Sequence, residues 1–482
     1  MVTGRDTASK DVYSIKSLLQ GCSLVAICEL DVNRWAELNF GTCDLGDARR
    51  TRRAVKVARL MAEHPDGSTP AQCERWADLK AAYRLFDCDE VTFTTLAEPH
   101  WQQTRKQARR TVLLIGDTMS THFEFRRQIE GMKQARNGSA RGFLLHNSMM
   151  VCAASGEIIG LAGQELFYRQ PAPKQTSFQR KKRERESEVW GRVIDLVGPP
   201  PEQTRYVHVF DRGADNFEVF CHLVEQRSDW VIRAAQMHRA VTDPDGQRVS
   251  VNDLLAQQPV WGTYELEVRG SFRSPQRTAR LEVCVAEAIL PRPKRMTPYL
   301  KQVGLEEIRQ SVIEVREIDA PAGVDPLRWV LWTSLPVPSF AAAWRVIEYY
   351  ERRWLIEEFH KAIKTGCRLE SRQYLKSQRL EALAGMMSVL GVRLVQMKML
   401  ARSQPDHPAE QVVPKVWLEM LRVLRKGSKI DTLREFFRQL AGLGGHLLRT
   451  GDGEPGWLTI WCGLDKLLLA IRGYEAMRKR YG

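Results

Sequence analysis

The chain has 482 residues, more than one hydrophobic core usually accommodates, so two or three domains are expected. Its hydrophobic share of 43% suits a water-soluble globular protein, and no segment reads as long enough to cross a membrane. Lysine and arginine number 72 against 58 acidic residues, a net charge of +14. That excess selects a polyanionic partner, nucleic acid first and a membrane surface second.

The ten cysteines (22, 28, 43, 73, 88, 152, 221, 284, 367 and 462) show no C-x-x-C and no paired histidine spacing. Buried thiols in a reduced cytoplasmic protein are expected, and zinc is not. The first thirty residues lack a basic flank leading into an apolar core, so they read as a loosely ordered extension rather than a signal peptide.

From Asp31 to about Arg110 the pattern is helical, with Asp44 and Asp47 as candidate caps. The segment LGDARRTRRAVKVARLMAEH carries Arg49, Arg50, Arg52, Arg53, Lys56 and Arg59, the first of them in the first turn of a helix. Cations there oppose the helix dipole, and they make sense where a phosphate docks on the free N–H groups and the guanidinium groups together. The alternative is a merely solvated basic face. A strand-rich block follows. TVLLIGD (111–117) and YVHVFDRGAD (206–215) are each an apolar run ending in aspartate, with GFLLHNSMMVC (142–152) between them. Residues 228 to 337 read mostly as β, SQPDHPAEQVVP (403–414) reads as a linker, and only helices follow it.

Between the β-rich block and that linker lies YYERRWLIEEFHKAIK (349–364). Ser339 is a plausible N-cap and Gly366 a stop signal, so one helix is expected throughout. At about 100° per residue, Tyr350, Arg353, Glu357 and Lys364 fall near 0, 300, 340 and 320°, with Lys361 near 20°. Ion pairs on a solvated face explain part of this stripe. A tyrosine, an arginine, a carboxylate and two lysines also suit an anionic substrate held beside a metal.

Asp117 and Asp211 end hydrophobic strands, where open α/β sheets carry functional groups. With a helical glutamate, Glu357, they make three carboxylates able to hold two divalent ions about 3.5–4 Å apart. Hard oxygen ligands favour Mg²⁺, with Mn²⁺ as a substitute.

These strings resemble the cut-and-paste DDE transposases of insertion-sequence family four. The signature Y-x₂-R-x₃-E-x₆-K matches Tyr350, Arg353, Glu357 and Lys364, while D-T and D-R-x-A-D match Asp117-Thr118 and Asp211 to Asp215. LGD-x-RR-T and AYR-x-F match residues 45–51 and 82–86, and W-x₃-W-x-G around Trp457, Trp461 and Gly463 echoes the family's C-terminal part. Departures are the N-terminal extension, Gly116 in place of an acid and Ala48 in place of proline.

The resemblance implies an α/β protein: an RNase H-like catalytic core with a β-rich insertion, flanked by all-helical N- and C-terminal domains. The expected divisions are a DNA-binding domain over 1–92, a catalytic domain over 93–402 with its insertion at about 228–337, and a dimerisation domain over 403–482. Asp117, Asp211 and Glu357 would be both catalytic residues and metal ligands. Tyr350, Arg353, Lys361, Lys364, Trp329, Arg53 and Arg84 would contact double-stranded DNA, Trp329 by stacking on an extruded base. The implied activity is nicking at transposon ends, hairpin formation and opening, and strand transfer by a homodimer on paired ends. An RNase H-like nuclease without strand transfer, or a non-cutting DNA-binding regulator, would share parts of this pattern.

Overall fold

The computed structural model describes residues 32–481, except 74, 124–127, 134–140, 170–184, 269–275 and 450–452. The N-terminal extension and most of the basic run at 180–186 therefore lie outside the described residues. Five helices come first: α1 (Val32–Phe40), α2 (Ala48–Glu63), α3 (Thr69–Gln72), α4 (Trp76–Phe86) and α5 (Phe93–Lys106). Asp47 caps α2 as expected, accepting from the Arg49 N–H at 2.7 Å.

The core sheet follows, with β1 (Arg110–Ser120), β2 (Leu144–Cys152), β3 (Ile158–Phe167), α6 (Val189–Val197), β4 (Thr204–Phe210), α7 (Phe217–Glu225) and β5 (Asp229–Arg233). Next come β6 (Ala240–Thr242), β7 (Arg248–Ser250), α8 (Val251–Ala256), β8 (Val260–Val268), β9 (Arg277–Pro291), α9 (Pro298–Val303), β10 (Glu307–Ile318) and β11 (Arg328–Thr333). One sheet runs β3-β2-β1-β4-β5-β11-β10-β9-β6-β7, with β8 also on β9. Strands β1, β4 and β5 are mutually parallel, and the pairings of β2, β3 and β9 to β11 are antiparallel. This is the mixed α/β core expected from the sequence. The strand at 229–233, grouped by sequence with the insertion, pairs in parallel with β4, and the later strands extend the same sheet from its edge.

Side chains alternate across the sheet: Leu113 and Ile115 enter one apolar cluster, Val112 and Leu114 the other. The first cluster is shared with α5, α10 (Phe340–Glu351), α11 (Trp354–Lys361) and α12 (Ser377–Ser403). Helix α12 corrects one expectation, because by length and composition it could span a membrane. The apolar window is 94% buried inside the protein, so it is a core helix, apolar on all sides because protein surrounds it.

The C-terminal helices are α13 (Lys415–Leu424), α14 (Leu433–Leu443) and α15 (Trp457–Tyr481). The segment before them is no loose linker. Val412 and Val413 are buried, and the Ala409 N–H donates to the Asp431 carbonyl at 2.8 Å.

Candidate active site

Strand register brings the two aspartates together. Ile115 of β1 pairs with Val209 of β4 in parallel; two residues further along each chain stand Asp117 and Asp211. Asp117 keeps its carboxylate oriented locally, with the Thr118 N–H donating to Oδ1 at 2.7 Å. Asp211 caps the short 3₁₀ turn Arg212–Ala214, accepting from the Gly213 N–H at 2.8 Å. The second aspartate of the D-R-x-A-D string has another task. Asp215 is buried, pairs with Arg239 at 2.5 Å and accepts from the Ala235 N–H at 2.6 Å, tying the turn after β4 to the chain after β5.

Glu357 arrives from a helix the sequence reads too simply. Ser339 caps α10 as expected, accepting from the Ala342 N–H. The helix then tightens: the N–H groups of Arg353, Leu355 and Ile356 each donate to a carbonyl three residues back. Helix α11 starts afresh at Trp354, and a π turn follows over Ala362–Gly366, closed by the Cys367 N–H on the Ala362 carbonyl at 2.8 Å. Arg352 anchors the junction by donating to the Ala153 and Cys152 carbonyls at the end of β2.

The expected five-residue stripe is therefore divided. Arg353 lies between two carboxylates, 2.6 Å from Glu357 and 3.6 Å from Asp117. Tyr350 neighbours it. Lys361 instead lies over the exposed Trp354 ring, 4.7 Å from its centroid, and Lys364 pairs with Glu370 at 3.6 Å. Trp329 is half-buried at the start of β11. The Leu331–Arg233 pairing puts that start at the same sheet end as Asp211. In the N-terminal helices, Arg53 and Lys56 of α2 share Asp78 of α4 at 2.8 and 2.6 Å, and Arg84 is exposed on α4.

The electrostatics follow from burial first and from the crowding of like charges second. Burial first, then the neighbouring Asp211, push the Asp117 carboxyl from the ordinary 3.8 up to about 6; Glu357 adds to the rise, and the Thr118 N–H and Arg353 oppose it. Burial would lower the Arg353 pKa, but the bond to Glu357 and the nearby Tyr350 and Asp117 raise it.

Among the described residues no three His, Cys, Asp or Glu side chains stand at metal-holding spacing. The Arg353 guanidinium supplies the countercharge between Asp117 and Glu357 instead. The donor set nevertheless suits a hard divalent cation: it is all carboxylate, partly buried and short of positive charge. Behind it the wall is tight. A β-carbon at Gly116 would meet the Phe210 ring at 2.4 Å, so an acidic side chain has no room at this position.

Three contributions escaped the sequence reading: the Arg352 anchor, the buried Lys398–Glu358 pair at 3.3 Å, and the contact of Asn147 with His360. Each joins residues distant in sequence, and none carries a local motif.

Family models match most of the described chain. Residues 32–91 match the transposase DNA-binding family, 178–390 the transposase DDE domain, and 389–481 the transposase Tn5 dimerisation domain. The DDE match contains Asp211 and Glu357; Asp117, upstream of it, joins them through the β1–β4 register. A DNA-binding domain, a metal-dependent DDE domain and a dimerisation domain in that order make this chain a DNA transposase, and it belongs to the Tn5-like DDE transposases.

Proposed function

We propose that the protein carries out cut-and-paste transposition, and that Asp117, Asp211 and Glu357 form its one phosphoryl-transfer centre. The observation that carries this reading is their convergence at the end of the β1–β4 pair around Arg353. Residues 1–92 would bind transposon ends, 93–402 would cut and join, and 403–482 would pair two copies on two ends. The setting would be the bacterial cytoplasm, on nucleoid DNA.

Mg²⁺ held by the three carboxylates, or Mn²⁺ in its place, would activate the attacking oxygen and stabilise the leaving one. The remaining work falls to the chain itself. Arg353 would exchange its carboxylate partners for a phosphate of the scissile strand, and Tyr350 and Lys364 would hold flanking phosphates. In nicking, water attacks phosphorus and the 3′-oxygen leaves with a proton. That 3′-hydroxyl then attacks the opposite strand, displacing its oxygen and closing a hairpin. Water reopens the hairpin, and the 3′-hydroxyl finally attacks target DNA.

A hairpin needs a tight strand reversal, which an extruded base relieves at a cost of a few kcal/mol. Stacking of that base on Trp329 would return about 1–3 kcal/mol. Arg53 and Arg84 would meet end-DNA phosphates.

The test is a time course on end DNA labelled on each strand, with Mg²⁺ and a target plasmid. Nicks, then hairpins, then joined product are expected, and Trp329→Ala should slow the hairpin far more than the nick. Nicking without any joined product would reduce the protein to a nuclease. Equal slowing of both steps by Trp329→Ala would make that ring merely structural.

A further inference from the structure

A buried hydrogen-bond chain runs beside Asp117 to the helix of Glu357. The Trp101 indole N–H of α5 donates to Gln164 Oε1 of β3 at 3.1 Å. Gln164 Nε2 donates to Asn147 Oδ1 of β2 at 2.6 Å, and Asn147 Nδ2 lies 3.1 Å from His360 Nε2 of α11. Trp101, Gln164 and Asn147 are all at most 2% exposed.

Register places this chain against the site. Asp117 pairs directly with Asn147, and Asn147 with Gln164, so the three form one cross-strand row. Cross-strand neighbours share a sheet face, here the face covered by α11 and α12. His360 follows Glu357 by three residues, nearly one helical turn. The Asn147–His360 bond therefore spans the gap between the strand row of Asp117 and the helix of Glu357.

The polarity of the chain has no freedom. An indole N–H can only donate, so Gln164 must present its oxygen to Trp101 and its amide nitrogen to Asn147. Asn147 must then present its nitrogen to His360. An independent contact agrees, since the same Asn147 Nδ2 also donates to the Leu145 carbonyl at 3.1 Å, and a carbonyl can only accept. His360 Nε2 is thereby the acceptor, so the imidazole is neutral and carries its proton on Nδ1. An imidazolium would set N–H against N–H. Burial favours the same neutral form, with Lys364 and Arg353 adding to it.

We propose that Asn147 and His360 are positioning residues of the catalytic centre: their bond, oriented by the Trp101–Gln164 pair, sets the separation between Asp117 and Glu357. The proposal rests on the reading of those two carboxylates as metal ligands. Outer partners of metal ligands typically govern about 10–100-fold in metal affinity.

The test uses full-length protein without DNA. Mn²⁺ titration followed by electron paramagnetic resonance should show His360→Leu weakened about 10–100-fold, while His360→Gln, whose amide oxygen can still accept from Asn147, stays close to wild type. Thermal stability in chelator and binding of end DNA should be alike in all three. Histidine ¹⁵N spectra of the wild type should show Nε2 of His360 without a proton, a result that depends on no variant folding. A proton on Nε2, or Mn²⁺ affinity unaltered by His360→Leu while Asp117→Ala and Glu357→Ala abolish binding, would overturn the positioning role alone. Binding that survives Asp117→Ala and Glu357→Ala would overturn the metal-site reading, and this proposal with it.

Discussion

Asp117 carries charge that the metal-free protein holds at a cost, and replacing it with asparagine should make that protein more stable. Its carboxyl is raised from 3.8 to about 6, with burial the main cause and Asp211 the next. Each pKa unit is worth about 1.36 kcal/mol, so the shift of roughly two units amounts to at most about 3 kcal/mol against the ionised form. The shift already includes the Arg353 pairing that substitution removes, and retained solvent at the site, whose carboxylate is 22% exposed, brings the expected gain to about 1–2 kcal/mol.

The sign is set by linkage. A folded-state pKa above the unfolded value means that the protonated form favours folding, so stability is full below pH 4 and falls as pH rises towards about 6. Asp117→Asn removes the charge at all pH values and keeps an oxygen for the Thr118 N–H. The two proteins should melt nearly together at pH 4, with the variant the more stable above pH 6. Melting curves in chelator from pH 4 to 8 measure this. Added Mn²⁺ should then raise the wild-type midpoint and leave the variant's unmoved, because a ligand stabilises only the state that binds it. A variant no more stable than wild type at pH 7.5, or a difference independent of pH, would refute the argument.

Three further outcomes are expected. Lys398→Met should destabilise the fold by about 3–5 kcal/mol in urea titration, because it leaves the Glu358 carboxylate buried without its partner, and adding Glu358→Leu should restore most of the loss. Deletion of residues 456–482, the obvious way to probe dimerisation, would strip the buried Leu464, Leu467, Leu468 and Ile471 from the core; Leu469→Glu, at an exposed position, should instead abolish paired-end complexes in gel shifts with no change in melting. Arg84→Ala should weaken end binding and lower the salt slope of affinity by about one for each phosphate no longer neutralised, whereas an unchanged slope would make it a solvated surface residue.

Much of the centre was legible because its parts are local. An apolar run closing on aspartate identifies β1 and β4, and parallel pairing then makes Asp117 and Asp211 neighbours. Ser339 and Asp47 declare their helix starts through cap chemistry that involves only adjacent residues. The break at Arg352 was not legible, since Glu351, Arg352 and Arg353 are sound helix formers, and the π turn at 362–366 was not, since Gly366 signals a stop without saying how the last turn winds. Distant groups such as the Ala153 carbonyl decide the path. Lys364 leaves the stripe within that π turn and pairs with Glu370, whereas Lys361 lies over Trp354 of its own helix, downstream of the break. The polar row from Trp101 to His360 is hidden for the same reason, because four unremarkable residues become a chain only once the sheet register is known.

The central claim is that three carboxylates from two strands and one helix act as one centre. Its most direct measurement is cut mapping on end DNA with Mg²⁺ for Asp117→Ala, Asp211→Ala and Glu357→Ala, with gel shifts run on the same preparations. Each variant should bind ends as wild type does and leave both strands uncut. Appreciable cutting by any one of the three, with end binding intact, would contradict the account.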